Sequence, residues 1–153
     1  MTSGGVVGQE ADDSRLGVLL FVASRSLEER AHRAVVEAGA SDITPAQARL
    51  LARVGPDGTR LVDLAAQARV TKQTAGHLVD QLEAAEYVER VRDPSDGRAR
   101  LVQLTDRAQE LVPVANAEVA RALGEWRARL GDRRMRQFTE ALIALQEITD
   151  PWR

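Results

Sequence analysis

The 153-residue chain contains no cysteine. Disulfides, thiolate metal sites and thiol-based redox switches are therefore excluded. Aromatic residues make up only 3% of the chain, so a hydrophobic core must be built mainly from leucine, valine and alanine. Because alanine and leucine are strong helix formers, this composition favours a mainly helical fold.

Long apolar segments are missing as well. The longest apolar run covers residues 16–23, whereas a membrane-spanning helix needs about 20 apolar residues. We interpret this run as the buried face of a helix. No secretory signal with a basic start and a cleavage site precedes it, so we expect a cytoplasmic protein without membrane contact.

The residue groupings that carry enzymatic chemistry are absent from the sequence. Only two histidines occur, His32 and His77, and they fall on separate predicted helices. No His, Asp and Glu cluster has the spacing of metal ligands, and neither a glycine-rich phosphate loop nor a nucleophile motif is present. We therefore predict no catalytic residues, no metal, no cofactor and no enzymatic activity.

An excess of positive charge is missing too, since 21 basic and 23 acidic residues give a net charge of −2. This sum does not exclude nucleic acid as a partner, because phosphates respond to the local field rather than to the total charge. The positions of the basic residues therefore decide the question.

Apolar periodicity divides the chain into parts. Residues 1–13 contain a double glycine and no periodicity, so we predict a disordered tail. Residues 14–39 and 105–150 carry apolar side chains at helical spacing. They predict one helix at the start of the ordered chain and two at its end, the first of these two beginning at Thr105 and kinked at Pro113.

Between these helices, residues 44–104 predict a compact lobe. Thr44 and Gln47 form a capping box around a proline, which marks the start of a helix. Two further short helices are predicted, one from Leu61 and one after the N-cap Thr71, each with apolar residues at i, i+3, i+4 and i+7. Two short helices joined by a tight turn form a helix-turn-helix.

A β-hairpin is predicted at the end of the lobe. Residues 87–92 and 101–104 are rich in β-branched and apolar side chains, and the turn formers of 93–100 separate them. A helix-turn-helix followed by a hairpin is a winged helix. The predicted fold is therefore mainly α with a small β-hairpin wing, flanked by helices on both sides.

The polar face of the helix after Thr71 has an uneven charge distribution, with Asp80, Glu83 and Glu86 confined to its end. A recognition helix inserts its N-terminal end into the major groove of DNA, where basic and amide groups are needed. Taken one at a time, the polar residues of this helix could equally belong to an ordinary face exposed to solvent. The candidate contacts are Arg69, Thr71, Lys72, Gln73, Thr74, Gly76 and His77.

The predicted hairpin is rich in arginine. An arginine on a narrow projecting loop can enter a minor groove, whose negative potential attracts the guanidinium. A helix-turn-helix combined with a basic hairpin is far more specific to DNA binding than either part alone. The candidate residues on the hairpin are Arg90, Arg92, Arg98 and Arg100.

The sequence resembles the MarR family of bacterial regulators over the whole predicted ordered chain, 14–153. The most specific motif is the wing, Asp93-Pro94-Ser95-Asp96-Gly97-Arg98-Ala99-Arg100. The other matching segments are Leu64-Ala65, Val70-Thr71-Lys72-Gln73-Thr74, Leu78-Val79-Asp80-Gln81-Leu82-Glu83, Tyr87-Val88-Glu89-Arg90 and Leu104-Thr105.

This resemblance implies a transcriptional regulator that binds double-stranded DNA. Arg98 is expected in the minor groove at the wing tip, Asp96 is expected to orient the wing, and residues 71–77 are expected in the major groove. Position 77 is often Arg in the family, so His77 is a departure that leaves the reading of one base position open.

The resemblance also bears on the terminal helices, whose apolar residues exceed what a winged helix of ~60–70 residues needs to cover. They could pack on one another within one chain, but the resemblance favours a homodimer with an inverted-repeat operator. The interface is expected to contain Leu16, Leu19, Leu20, Trp126, Leu130, Phe138, Leu142 and Leu145.

Family resemblance further implies release from DNA by a small aromatic or phenolic ligand, with no binding residues assigned to it. A repressor is the expected role, and an activator stays open. The alternative hypothesis is a winged helix that serves as a protein-interaction module and reads no DNA.

Overall fold

The computed structural model describes residues 4–152, with side chains from residue 12 onward. Within this part of the chain, seven helices and three short strands follow one another. They are α1 (Gly4–Glu37), α2 (Pro45–Leu51), β1 (Thr59–Arg60), α3 (Leu61–Gln67), α4 (Lys72–Ala84), β2 (Val88–Asp93), β3 (Asp96–Leu104), α5 (Asp106–Gln109), α6 (Val112–Leu130) and α7 (Asp132–Thr149).

The first helix is longer than the sequence predicts. α1 begins at Gly4, so the prediction of a disordered tail over 1–13 is wrong for residues 4–13, while residues 1–3 lie outside the described part. Once a helix is nucleated, each added residue gains one hydrogen bond, whereas nucleation fixes three residues for one hydrogen bond, so extension is easier than nucleation. α1 therefore extends towards the N-terminus beyond its apolar stripe.

The lobe contains the predicted helix-turn-helix. The capping box at α2 is confirmed, because Gln47 N donates to Thr44 Oγ1 at 3.2 Å and Thr44 N donates to Gln47 Oε1 at 2.8 Å. The N-cap of α4 is also confirmed, with Thr74 N donating to Thr71 Oγ1 at 3.1 Å. Arg69, at φ +55°, makes the tight turn between α3 and α4.

The strands form one antiparallel sheet in the order β1-β3-β2. β3 begins at Asp96, so the expected turn over 93–100 shrinks to two residues, because Asp93 of β2 still pairs with Asp96 beyond an irregularity that follows the pair Arg92–Arg100. β1 was not predicted. It begins directly after Gly58, whose φ is +85° and where a Cβ would lie 2.8 Å from Gln103 Cγ.

The connection into the last two helices also differs from the prediction. Thr105 caps a helix as expected, since Ala108 N donates to its hydroxyl oxygen at 3.3 Å. The expected long helix with a kink at Pro113 is wrong, because α5 stops at Gln109 and Pro113 lies in the first turn of the separate helix α6. A proline fits there since the first N–H groups of a helix have no partner in the helix.

One hydrophobic core fills the lobe and reaches α1 and α5. The side chains of Leu50, Leu64, Val79, Leu82 and Tyr87 are almost completely buried. Outside the lobe, α1 packs on α6 and α6 on α7, and we call α1, α6 and α7 the terminal helices. The fold is mainly α with a small antiparallel sheet, as predicted. No helix among the described residues has the length and apolar character needed to cross a membrane.

Candidate DNA-binding surface

Helix α4 separates an apolar face from a polar one, as its sequence predicts. Ala75 and Val79 are buried, whereas Lys72, Gln73 and His77 are exposed. Within the described residues, the side chains of Lys72 and Gln73 make no hydrogen bond or ion pair, so their donors and acceptors are available to another molecule.

Three other candidates, at the start and in the middle of α4, have roles within the chain or no polar side chain to offer. The Thr71 hydroxyl accepts from Thr74 N and donates to Thr74 Oγ1 at 2.9 Å, so both hydroxyls belong to the helix cap. Gly76 is half-buried, and a Cβ there would lie 3.8 Å from Leu61 Cδ2, an ordinary contact distance. Among the described residues, no packing contact requires glycine at position 76.

His77 is held by residues that the sequence did not point to. Gln81 Nε2 lies 3.0 Å from His77 Nε2, and Gln81 Oε1 accepts from Nε2 of the buried Gln47 at 3.0 Å. Gln81 thus links the imidazole of His77 to α2. The i, i+4 spacing of His77 and Gln81 could have indicated the first contact, but the second depends on how α2 packs against α4.

The hairpin β2–β3, which we call the wing, carries a concentrated positive charge. Arg92, Arg98 and Arg100 are exposed and have no ion pair within the described residues. Arg92 and Arg100 also lie directly opposite each other in the antiparallel pairing. Like charges at such positions destabilise a free hairpin, and a polyanion would relieve this repulsion.

Arg90, the fourth arginine predicted on the hairpin, differs from the other three. Its Nη2 donates to Asp80 Oδ1 at 2.6 Å, its Nη1 donates to Glu83, and its backbone N–H donates to Glu83 Oε1 at 3.3 Å. This arginine ties β2 to α4 and orients the wing relative to the recognition helix. The sequence could not indicate this, because the pairing depends on the packing of α4 against β2.

The base of the wing is built around Asp93, a residue of the predicted wing motif that was not among the candidate DNA contacts. Asp93 is buried and accepts from Arg60 Nη2 at 2.6 Å, from Ser95 Oγ at 2.6 Å and from Ser95 N at 2.8 Å. The Ser95 hydrogen bonds and Arg60 lower the pKa of Asp93 to about 2. The Asp-Pro-Ser sequence is typical of a side-chain-stabilised turn and could have indicated this role.

Asp96, which was expected to orient the wing, makes two contacts there. It accepts from Arg98 N at 3.1 Å and lies 4.0 Å from Arg60 Nη2. It therefore shapes the backbone that leads to Arg98, while Asp93 holds the base of the wing.

Arg69, at the turn before α4, contacts the far end of the chain. Its Nη2 donates to the carbonyl oxygen of Thr149 at 2.6 Å. Nearby, Arg53 Nη2 donates to Asp150 Oδ1 at 2.6 Å. The end of α7 is thus attached to the helix-turn-helix of the same chain.

The apolar residues expected in a dimer interface are largely open to solvent. Leu16, Leu19 and Leu20 on α1 and Leu130, Leu142 and Leu145 on the last two helices are exposed, while Trp126 and Phe138 are half-buried. Further exposed apolar side chains extend this surface, namely Val18, Phe21, Val22, Ile143 and Ile148.

A cavity of about 410 Å³ opens between α1 and α2. It is lined by Arg25, Glu28, Glu29, His32, Arg33, Val36, Pro45 and Arg49. Three arginines surround it, although Glu28 pairs with Arg25 at 3.2 Å and with Arg49 at 3.5 Å. In the part of the chain that the structure describes, no His, Asp and Glu cluster could hold a metal ion.

A helix-turn-helix followed by a charged hairpin defines a winged-helix protein. The sequence pattern of the MarR family matches residues 41–99, which contain the helix-turn-helix and most of the wing. No curated protein matches the chain.

Solved structures extend the likeness over nearly the whole chain. A MarR-family protein of Mycobacterium tuberculosis, in complex with salicylic acid, is 30% identical, with a TM-score of 0.61 over 85% of this chain and 95% of that one. CouR of Rhodococcus jostii, bound to p-coumaroyl-CoA, is 26% identical, with a TM-score of 0.68 over 89% and 92%. A MarR-family regulator from Rhodococcus sp. has the same fold, at 24% identity and a TM-score of 0.68 over 91% and 95%. The chain belongs to the MarR family of transcriptional regulators.

Proposed function

We propose that the protein is a homodimeric repressor that binds an inverted-repeat operator in the cytoplasm through α4 and the wing. The observation that carries this proposal is the contrast among the arginines of the lobe. Arg60 and Arg90 are paired with carboxylates, whereas Arg92, Arg98 and Arg100 are exposed and unpaired within the described residues. Unpaired positive charge on a projecting hairpin beside a helix-turn-helix suits the phosphate backbone.

The two elements would read DNA in different ways. The exposed amide of Gln73 can pair with an adenine edge, and Lys72 suits guanine or phosphate. Arg98 lies on the wing close to its turn, where a guanidinium can enter the minor groove. Arg92 and Arg100 would then contact the flanking phosphates.

Dimerisation is supported by the apolar surface of the terminal helices. Monomers seldom expose contiguous apolar patches of more than a few hundred Å², and large exposed patches mark interaction sites. A second copy of the chain carries the same apolar surface, so each copy can cover the exposed apolar side chains of the other. Two-fold symmetry would present two α4 helices to two half-sites of opposite orientation.

The proposal is tested by selecting duplexes from random-sequence DNA on the wild-type protein and titrating the selected operator with salt. Arg98→Ala should weaken binding to operator and random duplexes alike and reduce the slope of log K against log salt by about 0.9, the value for one phosphate-like contact. Gln73→Ala should cost about 1–3 kcal/mol on the operator and little on random DNA.

The matched control is Arg136→Ala, which removes an exposed arginine from α7, away from the wing. It should leave the affinity and the salt slope unchanged. Recovery of no preferred sequence by the wild type would reject the operator and favour the alternative, a protein-interaction module with a basic surface.

We further propose a small aromatic acid as the effector, bound in the cavity between α1 and α2. The structures of two relatives contain compounds of this kind. One contains salicylic acid, and the other contains p-coumaroyl-CoA, the thioester of an aromatic acid. Arg33 lines the cavity and has no ion pair within the described residues, so it can receive a carboxylate. The cavity lies between α1, which is a terminal helix, and α2, which belongs to the lobe. A ligand bound there can therefore favour one arrangement of the lobe relative to the terminal helices.

Salicylate is the first probe for this part of the proposal. Its addition should weaken operator binding, and operator DNA should weaken salicylate binding by the same factor, since the coupling of two ligands is reciprocal. Arg33→Gln should reduce salicylate affinity, with Arg136→Gln as the control. Equal salicylate affinity in wild type and Arg33→Gln would remove this cavity as the effector site.

A further inference from the structure

The chain crosses between the terminal helices and the lobe at two places. Residues 38–44 lead from α1 into α2, and Thr105 leads from β3 into α5. Both crossings contact one corner of the lobe, where α4 ends and β2 begins. The backbone turns sharply at this corner, with Glu86 at φ +61°.

Tyr87 connects this corner to the first crossing. Its ring is fully buried in the core, and its hydroxyl donates to Asp42 Oδ1. Asp42 itself is exposed. A phenylalanine ring would fill the same space in the core. The hydroxyl is therefore not needed for packing, and its contact lies on the connection to α1.

Arg107, on α5, completes the contact with the second crossing. Its guanidinium carbon lies 4.1 Å from the centroid of the Tyr87 ring, and its Nη2 lies 3.6 Å from Asp42 Oδ2. Its Nη1 donates a hydrogen bond to the Ala85 carbonyl oxygen at 2.5 Å. The Thr105 hydroxyl donates to the Glu86 carbonyl at 2.7 Å. Both crossings are thus attached to each other and to the end of α4.

The charge states of the contact are stable across the physiological pH range. Burial and the Asp42 hydrogen bond raise the pKa of Tyr87 to about 12, so the phenol stays a donor. The same hydrogen bond lowers the pKa of Asp42, so the carboxylate stays an acceptor. Asp42, Tyr87 and Arg107 therefore keep the charge states that their contacts require, and we call these three residues the clasp.

We propose that the clasp, acting together with the contacts of Arg53 and Arg69 at the end of α7, fixes the angle between the lobe and the terminal helices and thereby sets the half-site spacing that the dimer accepts. This inference rests on the proposed function. A lobe that turns about its two crossings carries α4 with it. Because half-sites of a two-fold dimer repeat at about one helical turn, ~34–36 Å, a change in the distance between the two α4 helices changes the preferred spacing.

The first test measures geometry without DNA. The sequence has no cysteine, so Ala84→Cys, on the exposed end of α4, introduces a single labelling site. Spin labels on the two copies of a dimer should give a narrow distance distribution in the wild-type background. Tyr87→Phe, which keeps the ring and removes the hydroxyl, should broaden the distribution, and Asp42→Asn should do the same.

The matched control is Thr59→Val. It removes the hydrogen bond from Gly55 N to Thr59 Oγ1, 2.9 Å long and wholly within the lobe, and leaves the clasp intact. A lost hydrogen bond should lower the thermal stability of all three variants, but only the two clasp variants should broaden the distance distribution.

The second test uses duplexes in which the selected half-sites are moved together or apart by one base pair. The wild type and Thr59→Val should discriminate against these duplexes equally. In the clasp variants, the ratio of affinities for the selected duplex and the respaced duplexes should fall about fivefold. This factor corresponds to the free energy of one ordinary hydrogen bond.

Narrow distances and unchanged spacing discrimination in both clasp variants would overturn the inference and leave the clasp a stabilising contact only. If the wild type selects no duplex, the proposed function fails. The distance measurement then still decides whether the clasp fixes the lobe.

Discussion

The lobe and the terminal helices differ in the kind of side chain that each leaves exposed to solvent. In the lobe most large apolar side chains are covered, with Leu64 and Val79 at 0% exposure, while Arg92, Arg98 and Arg100 of the wing face solvent without ion-pair partners in the described residues. In the terminal helices many apolar side chains are exposed, with Phe21 at 65% and Ile148 at 79% exposure.

Several charged residues of the terminal helices pair with one another. Arg30 of α1 donates to Glu118 Oε1 at 2.7 Å and to both carboxylate oxygens of Glu125, and Arg121 donates to Glu118. Within the described residues, the lobe therefore covers most of its large apolar side chains and leaves Arg92, Arg98 and Arg100 without an anionic partner, whereas the terminal helices leave many apolar side chains uncovered. Each region indicates a different partner, a polyanion for the lobe and a second copy for the helices.

The largest expected effect comes from placing a charge on the open apolar surface. Leu142→Glu should separate the dimer, because burying an unpaired carboxylate costs several kcal/mol. Light scattering should then give the 16.7 kDa chain mass instead of twice that value, with operator binding lost. The control is Gln137→Glu, an exposed polar position on the same helix. A Leu142→Glu variant that stays dimeric would show that this surface is not the interface.

The next largest effect is expected in the core of the lobe. Leu64→Ala should lower the free energy of unfolding by about 2–5 kcal/mol, since it leaves a cavity at a fully buried site. Val62→Ala, at an exposed position of the same helix, is the matched control and should change little. Urea denaturation measures both. Similar losses in the two variants would contradict the assignment of the lobe core.

A smaller effect should appear in the wing at low pH. The pKa of Asp93 is about 2, below its usual 3.8, so the carboxylate stabilises the fold above about pH 4 and loses this contribution as the pH falls towards 2. The protection factors of wing amides, which are exchange rates corrected for the intrinsic effect of pH, should be constant from pH 6 to about pH 4 and fall as the pH approaches 2. Asp93→Asn should show low protection at every pH. A wild-type profile that is flat down to pH 2 would contradict the role of Asp93.

The smallest effect concerns Gly76. Gly76→Ala should raise the free energy of unfolding by up to about 1 kcal/mol, because alanine favours the helix and its Cβ meets Leu61 at an ordinary distance. Gly131→Ala is the contrasting variant and should be destabilised, since its φ is +81°. Thermal unfolding of both distinguishes them. A destabilised Gly76→Ala variant would show that the contact between α3 and α4 is tighter than described.

Features set by local chemistry could be predicted from the sequence. The capping box at Thr44 and the cap at Thr71 depend on residues a few positions apart, and both are present. The wing was predicted from its turn residues, although β3 starts earlier than expected. Its first residues pair with β2, and this pairing overrides the turn preference of the segment.

Features set by tertiary packing could not be predicted. The two-residue strand β1 exists only because β3 lies beside it, so the role of Arg60 at the base of the wing had no local signal. The pairing of Arg90 with Asp80 and Glu83 requires β2 to lie against α4. Sequence reasoning therefore grouped Arg90 with the wing arginines, although its partners within the chain give it a different role.

The central claim is that two copies of the chain together bind one operator. Sedimentation of the protein with a labelled duplex tests it most directly, with duplexes that carry both selected half-sites, one half-site or neither. We predict two chains per duplex on the full operator, much weaker binding to the single half-site, and only salt-sensitive, sequence-independent binding to the third duplex. One chain per duplex, or equal affinity for all three duplexes, would contradict the claim.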